Sequence, residues 1–182
     1  MMKIGMACDH GAYTYKEEIK QMLMDEGHEV VDCGCHDTNS VDYPDMAKAC
    51  ADLVANKEVD KGIVMCGTGI GISIAANKVK GIRCALCTDV TMARLTREHN
   101  DANMLSMGQR TTGIETCKDI VHTFLNTPFS EGERHKGRIA KISAIEHGAA
   151  SPRALPHAGK RLCGHRPRPE RAQRHAEGRR QL

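Results

Sequence analysis

The residues best placed to do chemistry lie in Gly62-Ile63-Val64-Met65-Cys66-Gly67-Thr68-Gly69-Ile70-Gly71, a short apolar run that ends in a cysteine and passes at once into a glycine-rich turn. Such a run reads as a buried strand, and Ile72-Ser73-Ile74-Ala75-Ala76-Asn77-Lys78 after the turn can be helical. The thiol therefore stands where a strand hands over to a helix. Backbone N–H groups and the positive end of a helix dipole favour an anion there and stabilise a thiolate. A base and a cradle for a developing oxyanion can share one loop. A free cysteine is usually a small buried hydrophobe, and Cys8, Cys84 and Cys87, inside strand patterns, keep that reading. The Gly-Thr-Gly-Ile-Gly that follows Cys66 weakens it there.

Rival chemistries fit less well. A phosphatase-type Cys-x5-Arg loop needs arginine where Ile72 stands. Gly67-x-Gly69-x-Gly71 with Asp89 further on approaches a dinucleotide fingerprint, but Ile72 occupies the third glycine position and the loop follows the third strand rather than the first. Cys33-x-Cys35-His36 and Cys84-x-x-Cys87 are the only close cysteine pairs, and no second pair stands at zinc-ribbon spacing, so no structural metal is expected. Arg134 and Arg138, four apart on a predicted helix, can converge on one anion. A solvated basic face is the plainer reading of that pair alone. With Arg110 and His10 also at loop or helix starts, a phosphate site becomes the expectation. His99-Asn100 sets a proton carrier beside an amide.

These groups need elements to position them. Lys3 to Cys8 is a strand candidate that stops at Asp9-His10-Gly11, and Tyr13 to Glu26 places Tyr15, Ile19, Met22 and Leu23 on one helical face, with Gly27 as a stop. The strand–loop–helix unit recurs: His28 to Cys33 with Met46 to Ala55, the Cys66 strand with its helix, Arg83 to Cys87 with a helix from Asp89, and Asn103 to Met107 with one from Thr112. Thr112 to Glu115 has capping-box spacing, and Ile114, Cys117, Val121, Phe124 and Leu125 form that helix's stripe. A last helix from Ser130, capped through Glu133, is expected to bury Ile139, Ile142 and Ile145. Five strands alternating with helices imply an α/β, doubly wound (Rossmann-like), five-stranded parallel sheet. With order 2-1-3-4-5, the ends of strands one and three flank the crevice where such sheets bind ligands, which brings Asp9-His10 beside Cys66-Gly67-Thr68.

The 182 residues suffice for one well-buried domain with an appendage. Nine cysteines, an odd count, with no charged-then-apolar leader, point to reduced thiols and a cytoplasmic protein. No apolar run approaches the ~20 residues needed to cross a bilayer. The net charge of +3 hides two halves: residues 1–150 carry 17 Lys+Arg against 21 Asp+Glu, and residues 151–182 carry 9 against 2. Residues 1–148 are expected to form the domain and 149–182 a basic, disordered extension. That tail has no aromatic interleaving, so nucleic acid is not an expected partner.

Taken together, Ala7-Cys8-Asp9-His10-Gly11, Asp42-Tyr43-Pro44-Asp45, the Cys66 to Gly71 loop, Ala75-Ala76-Asn77-Lys78, Arg97 to Asn103 and Arg134-His135-x-x-Arg138 resemble the type B ribose-5-phosphate isomerase family, which also includes galactose-6-phosphate isomerase subunits. The resemblance covers residues 1–147. It implies an aldose–ketose isomerase that needs no metal or cofactor, interconverting ribose 5-phosphate and ribulose 5-phosphate of the pentose phosphate pathway through a cis-enediolate. By that resemblance Cys66 is the base, Thr68 and His99 handle protons, with His99 helping to open the sugar ring, and Asp9 contacts the sugar hydroxyls. Backbone N–H groups of Gly67, Thr68, Gly69, Ile70 and Gly71 would hold the enediolate oxygen, Asn100 would bind a hydroxyl, and Tyr43 would join the substrate site. His10, Arg134 and Arg138 match phosphate contacts, with Arg110 nearby. The family builds its site at a dimer interface, implying a homodimer or homotetramer with a sugar phosphate as ligand and no membrane partner. Galactose-6-phosphate or allose-6-phosphate isomerisation is the alternative substrate choice, and a non-catalytic nucleotide-binding, flavodoxin-like module is the alternative of another class.

Overall fold

The computed structural model describes residues 1–148, so the expectation for 149–182 falls outside the described residues. Five parallel strands form one sheet: β1 (Lys3–Cys8), β2 (Glu29–Asp32), β3 (Lys61–Cys66), β4 (Cys84–Leu86) and β5 (Met104–Gly108). Between and after them run α1 (Tyr13–Asp25), α2 (Tyr43–Ala55), α3 (Ile70–Ala76), α4 (Val90–Asn100), α5 (Ile114–Asn126) and α6 (Glu133–Glu146). The side-chain period of two sorts the strands between two cores. Ile63 and Met65 face Ile19, Leu23, Ala93, Ile120 and Phe124 of α1, α4 and α5. Val64 and Cys66 face Ala47, Cys50, Val54, Ile72 and Ala76 of α2 and α3. Each fully buried large aliphatic side chain contributes about 1.5–3 kcal/mol.

The strand order is 2-1-3-5-4, not the expected 2-1-3-4-5. The reason lies in burial. All five residues of β5 are buried, whereas β4 is three residues long and only half-buried. The more apolar strand takes the interior place beside β3, and β4 takes the edge. The neighbours that matter for the site are unaffected, since β1 still pairs with β3, Cys8 opposite Met65.

Two caps differ from their expectation as well. Gly113, not Thr112, precedes α5, and the Thr112 hydroxyl is buried without a hydrogen-bond partner among the described residues. Ser130 does not cap the last helix, which starts at Glu133 after Gly132; its hydroxyl donates instead to the Glu98 carbonyl of α4. Nor does α6 bury its isoleucines. Ile139 is half-buried, while Ile142 and Ile145 are 46% and 66% exposed. The helix lies outside the sheet layers and packs mainly on α4.

Candidate active site

Three strand ends build the first group of candidate residues. Register sets Cys66 opposite Gly108 of β5, and the Asp9 N–H donates to the Met65 carbonyl at 3.1 Å, which fixes the end of β1 beside Cys66. Cys66 is 5% exposed, and its Sγ accepts the Gly69 N–H at 3.1 Å. That contact exists because Gly69 adopts φ +75, a left-handed conformation, and because a Cβ there would lie 2.8 Å from the Met107 carbonyl carbon. The turn is braced from below by the Ser106 hydroxyl, which donates to the Gly69 carbonyl at 2.7 Å. The Ile70 N–H is held by Thr68 Oγ1 at 3.3 Å. Two of the five expected oxyanion donors are therefore already engaged, one of them on the sulfur itself. The helix that follows has seven residues, so the local N–H groups matter more than a macrodipole.

The walls of the cradle come from three further loops. Asp9 Oδ1 accepts the Gly11 N–H at 2.9 Å, which points its carboxylate at the turn after β1. His10 is exposed, and its Nδ1 accepts the Val41 N–H at 3.3 Å, leaving Nε2 to carry the proton. Tyr43 opens α2 and lies against the turn, since a Cβ on Gly71 would meet its ring at 2.8 Å. Arg110 lies against Gly67 in the same way, its side chain 3.3 Å from a Cβ there, and its N–H donates to the Gly67 carbonyl at 2.9 Å. Asp9, His10, Tyr43, Cys66, Gly67, Thr68, Gly69, Ile70, Gly71 and Arg110 thus gather at one end of the sheet.

His99, Asn100, Arg134 and Arg138 do not join them. In a parallel sheet the helix after β4 runs back toward the strand starts, so α4 carries His99 and Asn100 roughly 15 Å away along its axis. The Asn100 carbonyl accepts from Arg83 Nε at 2.9 Å, beside the start of β4. Arg134 and Arg138 project from α6 as exposed side chains, and His135 between them stacks on His99 with ring centroids 4.4 Å apart and planes 5° apart. A cavity of about 600 Å³ opens in this second region, between Asn100, Arg83, Ile82, Ile142 and Ile145, rather than over Cys66.

Some contributors escape a sequence reading. Lys16 is fully buried, donating to both Asp32 oxygens at 2.7 and 2.8 Å and to the Cys35 carbonyl at 2.7 Å. Its signal was available, since it shares a helical face with Ile19 and Leu23. Cys35 in turn donates its N–H to the Cys8 carbonyl at 2.9 Å, so the ion pair supports the strand that ends in Asp9. Burial would push the Asp32 carboxyl up, but hydrogen bonds from Lys16, Lys20 and the Gly34 N–H outweigh it and bring it to about 2. Ser106 is the other omission, a polar residue in an apolar strand.

Comparison with known proteins agrees with this geometry. The ribose/galactose isomerase family matches residues 4–142. Ribose-5-phosphate isomerase B of Escherichia coli is 47% identical over 146 residues, which is 80% of this chain and 97% of that protein. Among solved structures, ribose-5-phosphate isomerase B of Clostridium thermocellum is 52% identical with TM-score 0.80, over 82% of this chain and 100% of that one. The corresponding enzyme of Thermotoga maritima is 50% identical with TM-score 0.76, over 78% and 97%. No helix among the described residues is long and apolar enough to cross a membrane. With a thiol and its N–H donor at a strand end and likeness along residues 4–142, this chain belongs to the ribose/galactose isomerase family and is a sugar-phosphate isomerase.

Proposed function

We propose that this protein interconverts ribose 5-phosphate and ribulose 5-phosphate, with Cys66 as the base that moves a proton between C2 and C1. A sugar C–H is a very weak acid, so its abstraction needs a placed base and donors aimed where negative charge develops. The observation that carries this reading is the Gly69 N–H on Cys66 Sγ inside a glycine turn, beside Asp9. The turn that sets this donor on the sulfur offers further N–H groups to the enediolate oxygen. Asp9 and Tyr43 then meet the sugar, and His10 and Arg110 stand at the rim. The substrate is drawn from the relatives named for it.

A second copy of the chain completes the site in this reading. It supplies His99 for ring opening, Asn100 for a hydroxyl, and Arg134 and Arg138 for the phosphate, groups that one chain keeps away from its own cradle, at the far end of α4 and on α6. Support comes from the surface around the cradle, where Tyr43, Ile70, Ile74, Val90 and Met92 are 40–56% exposed, an apolar rim suited to a partner. Remote phosphate binding then orients the open-chain sugar over the thiol.

The experiment is isomerisation and solvent-deuterium incorporation at C1 and C2 of the sugar phosphate, with wild type and Cys66→Ala. Loss of both with retained binding of the sugar phosphate is expected. Near-normal turnover by Cys66→Ala overturns the assignment of the base, and faster turnover of galactose or allose phosphates overturns the substrate.

A further inference from the structure

The stacked pair of imidazoles is more than the proton-handling reading of His99 requires. His135 is 9% exposed, lies flat against His99 at 4.4 Å and 5°, and is boxed on its other side by Gly132, where a Cβ would come within 3.2 Å of its Cδ2. Its backbone N–H is fixed to the Gly132 carbonyl at 2.8 Å. The stack holds the two ring planes within 5° of each other.

Charge around the pair is one-sided. On α4, Arg94 pairs with Glu98 at 2.9 Å and Arg97 with Asp101 at 2.8 Å, so each cation there has a carboxylate. At the start of α6, Lys136 is shared between Glu131 and Glu133. Arg134 and Arg138 flank His135 as exposed cations. Burial first, then the His99 ring and these two guanidinium groups, push the His135 imidazole below its ordinary value. Two imidazolium rings at this separation repel each other.

We propose that His135 is a positioning residue for His99: a buried ring that lies flat against it and fixes its plane. A neutral π face next to the imidazolium formed during ring opening also favours that cation. The proposal rests on the reading of His99 as a proton carrier. It assigns His135 no contact with substrate.

The test combines titration and kinetics on the full chain. NMR of ring-labelled histidines is expected to show the His135 midpoint below the ordinary histidine value and rising in His99→Phe, where stacking is kept and the charge is gone. For kinetics, His135→Phe keeps kcat within about twofold, while His135→Ala lowers kcat about tenfold with KM within about twofold, as expected when a group is misaligned rather than removed. Gly132→Ala, which crowds the ring without deleting it, lowers kcat in the same direction. A His135 midpoint that does not move in His99→Phe, or wild-type kcat in both His135→Ala and Gly132→Ala, overturns the proposal. Full turnover by His99→Asn overturns the reading of His99 as well; loss in His99→Asn with none in His135→Ala overturns the role of His135 alone.

Discussion

The cradle at the strand ends and the patch at the end of α4 are built on different principles. In the first, backbone does the work: Gly69 and Gly71 occupy places where a Cβ would collide, and the contacts on Cys66 Sγ and Thr68 Oγ1 come from the N–H groups of Gly69 and Ile70. In the second, side chains do the work: His99 stands on α4, which packs on α5 and the sheet core, and Arg134 and Arg138 stand on α6, which packs mainly on α4. Electrostatic stabilisation of a reaction demands donors that do not reorganise, which a strand–turn–helix junction supplies. Capture of a phosphate needs charge and reach, which arginines on a helix supply. On the proposed reading the two kinds of equipment, which stand at opposite ends of one chain's sheet, meet between chains.

That last statement can be broken most directly by complementation. Cys66→Ala and His99→Asn are each expected to lower turnover about 10²–10⁴-fold, the range for loss of an acid–base group. Mixed in equal amounts and allowed to exchange subunits, they regain about a quarter of wild-type activity, because half the dimers are hybrids and each hybrid keeps one intact site. No recovery, with exchange verified by mass spectrometry, means that the two regions do not share a site. The contrast within each region is sharpened by Gly69→Ala. The substitution places Cβ against the Met107 backbone in a left-handed conformation, so it is expected to cost about 1–3 kcal/mol of stability and to lower kcat about 10²-fold by displacing the N–H from the sulfur. Wild-type kcat in this variant, followed beside its thermal midpoint, removes the rigid-cradle argument.

The two regions were also unequally legible in the sequence. Cys66 to Gly71 announced a turn because glycine spacing encodes backbone geometry locally. His99, Arg134 and Arg138 were visible as residue types, but their place in space depends on helix direction and on what α6 rests against, neither of which spacing encodes. The apolar period of α6 suggested a buried stripe, yet Ile142 and Ile145 remain exposed, since periodicity reports a face and not its partner. The β4–β5 exchange has the same origin. Both strands look apolar, and only relative burial decides which takes the edge. Ser130 and Thr112 carried the right spacing for caps, but one hydroxyl bonds to α4 and the other is left without a partner among the described residues.

The buried Lys16–Asp32 pair links the cradle to acid stability. The folded Asp32 carboxyl is brought to about 2, below the ordinary unfolded value of about 3.9. A depressed acid contributes stability that is present above its unfolded value and lost as pH falls through the folded one. Thermal unfolding is therefore expected to weaken between about pH 5 and 2, by about 2 kcal/mol from this group. In Asp32→Asn the acid dependence flattens, and the whole curve drops because Lys16 stays buried with only Glu17 and a carbonyl. An unchanged acid limb in that variant assigns the loss to other carboxylates.

The smallest effect expected is on the side of the helix patch. Arg138 is exposed, so its guanidinium costs little to desolvate, and on the proposed reading it gives a phosphate one charge-assisted contact among several. Arg138→Ala is expected to raise KM for the sugar phosphate about tenfold, near 1.4 kcal/mol, and to change kcat less than twofold. Arg138→Lys restores charge without the planar fork, so it recovers only part of the loss. The discriminating readout is competition by inorganic phosphate, which should weaken in parallel with KM. If phosphate competes equally against wild type and Arg138→Ala, the arginine belongs to a solvated face, and the anion must be held by His10 and Arg110 at the cradle itself.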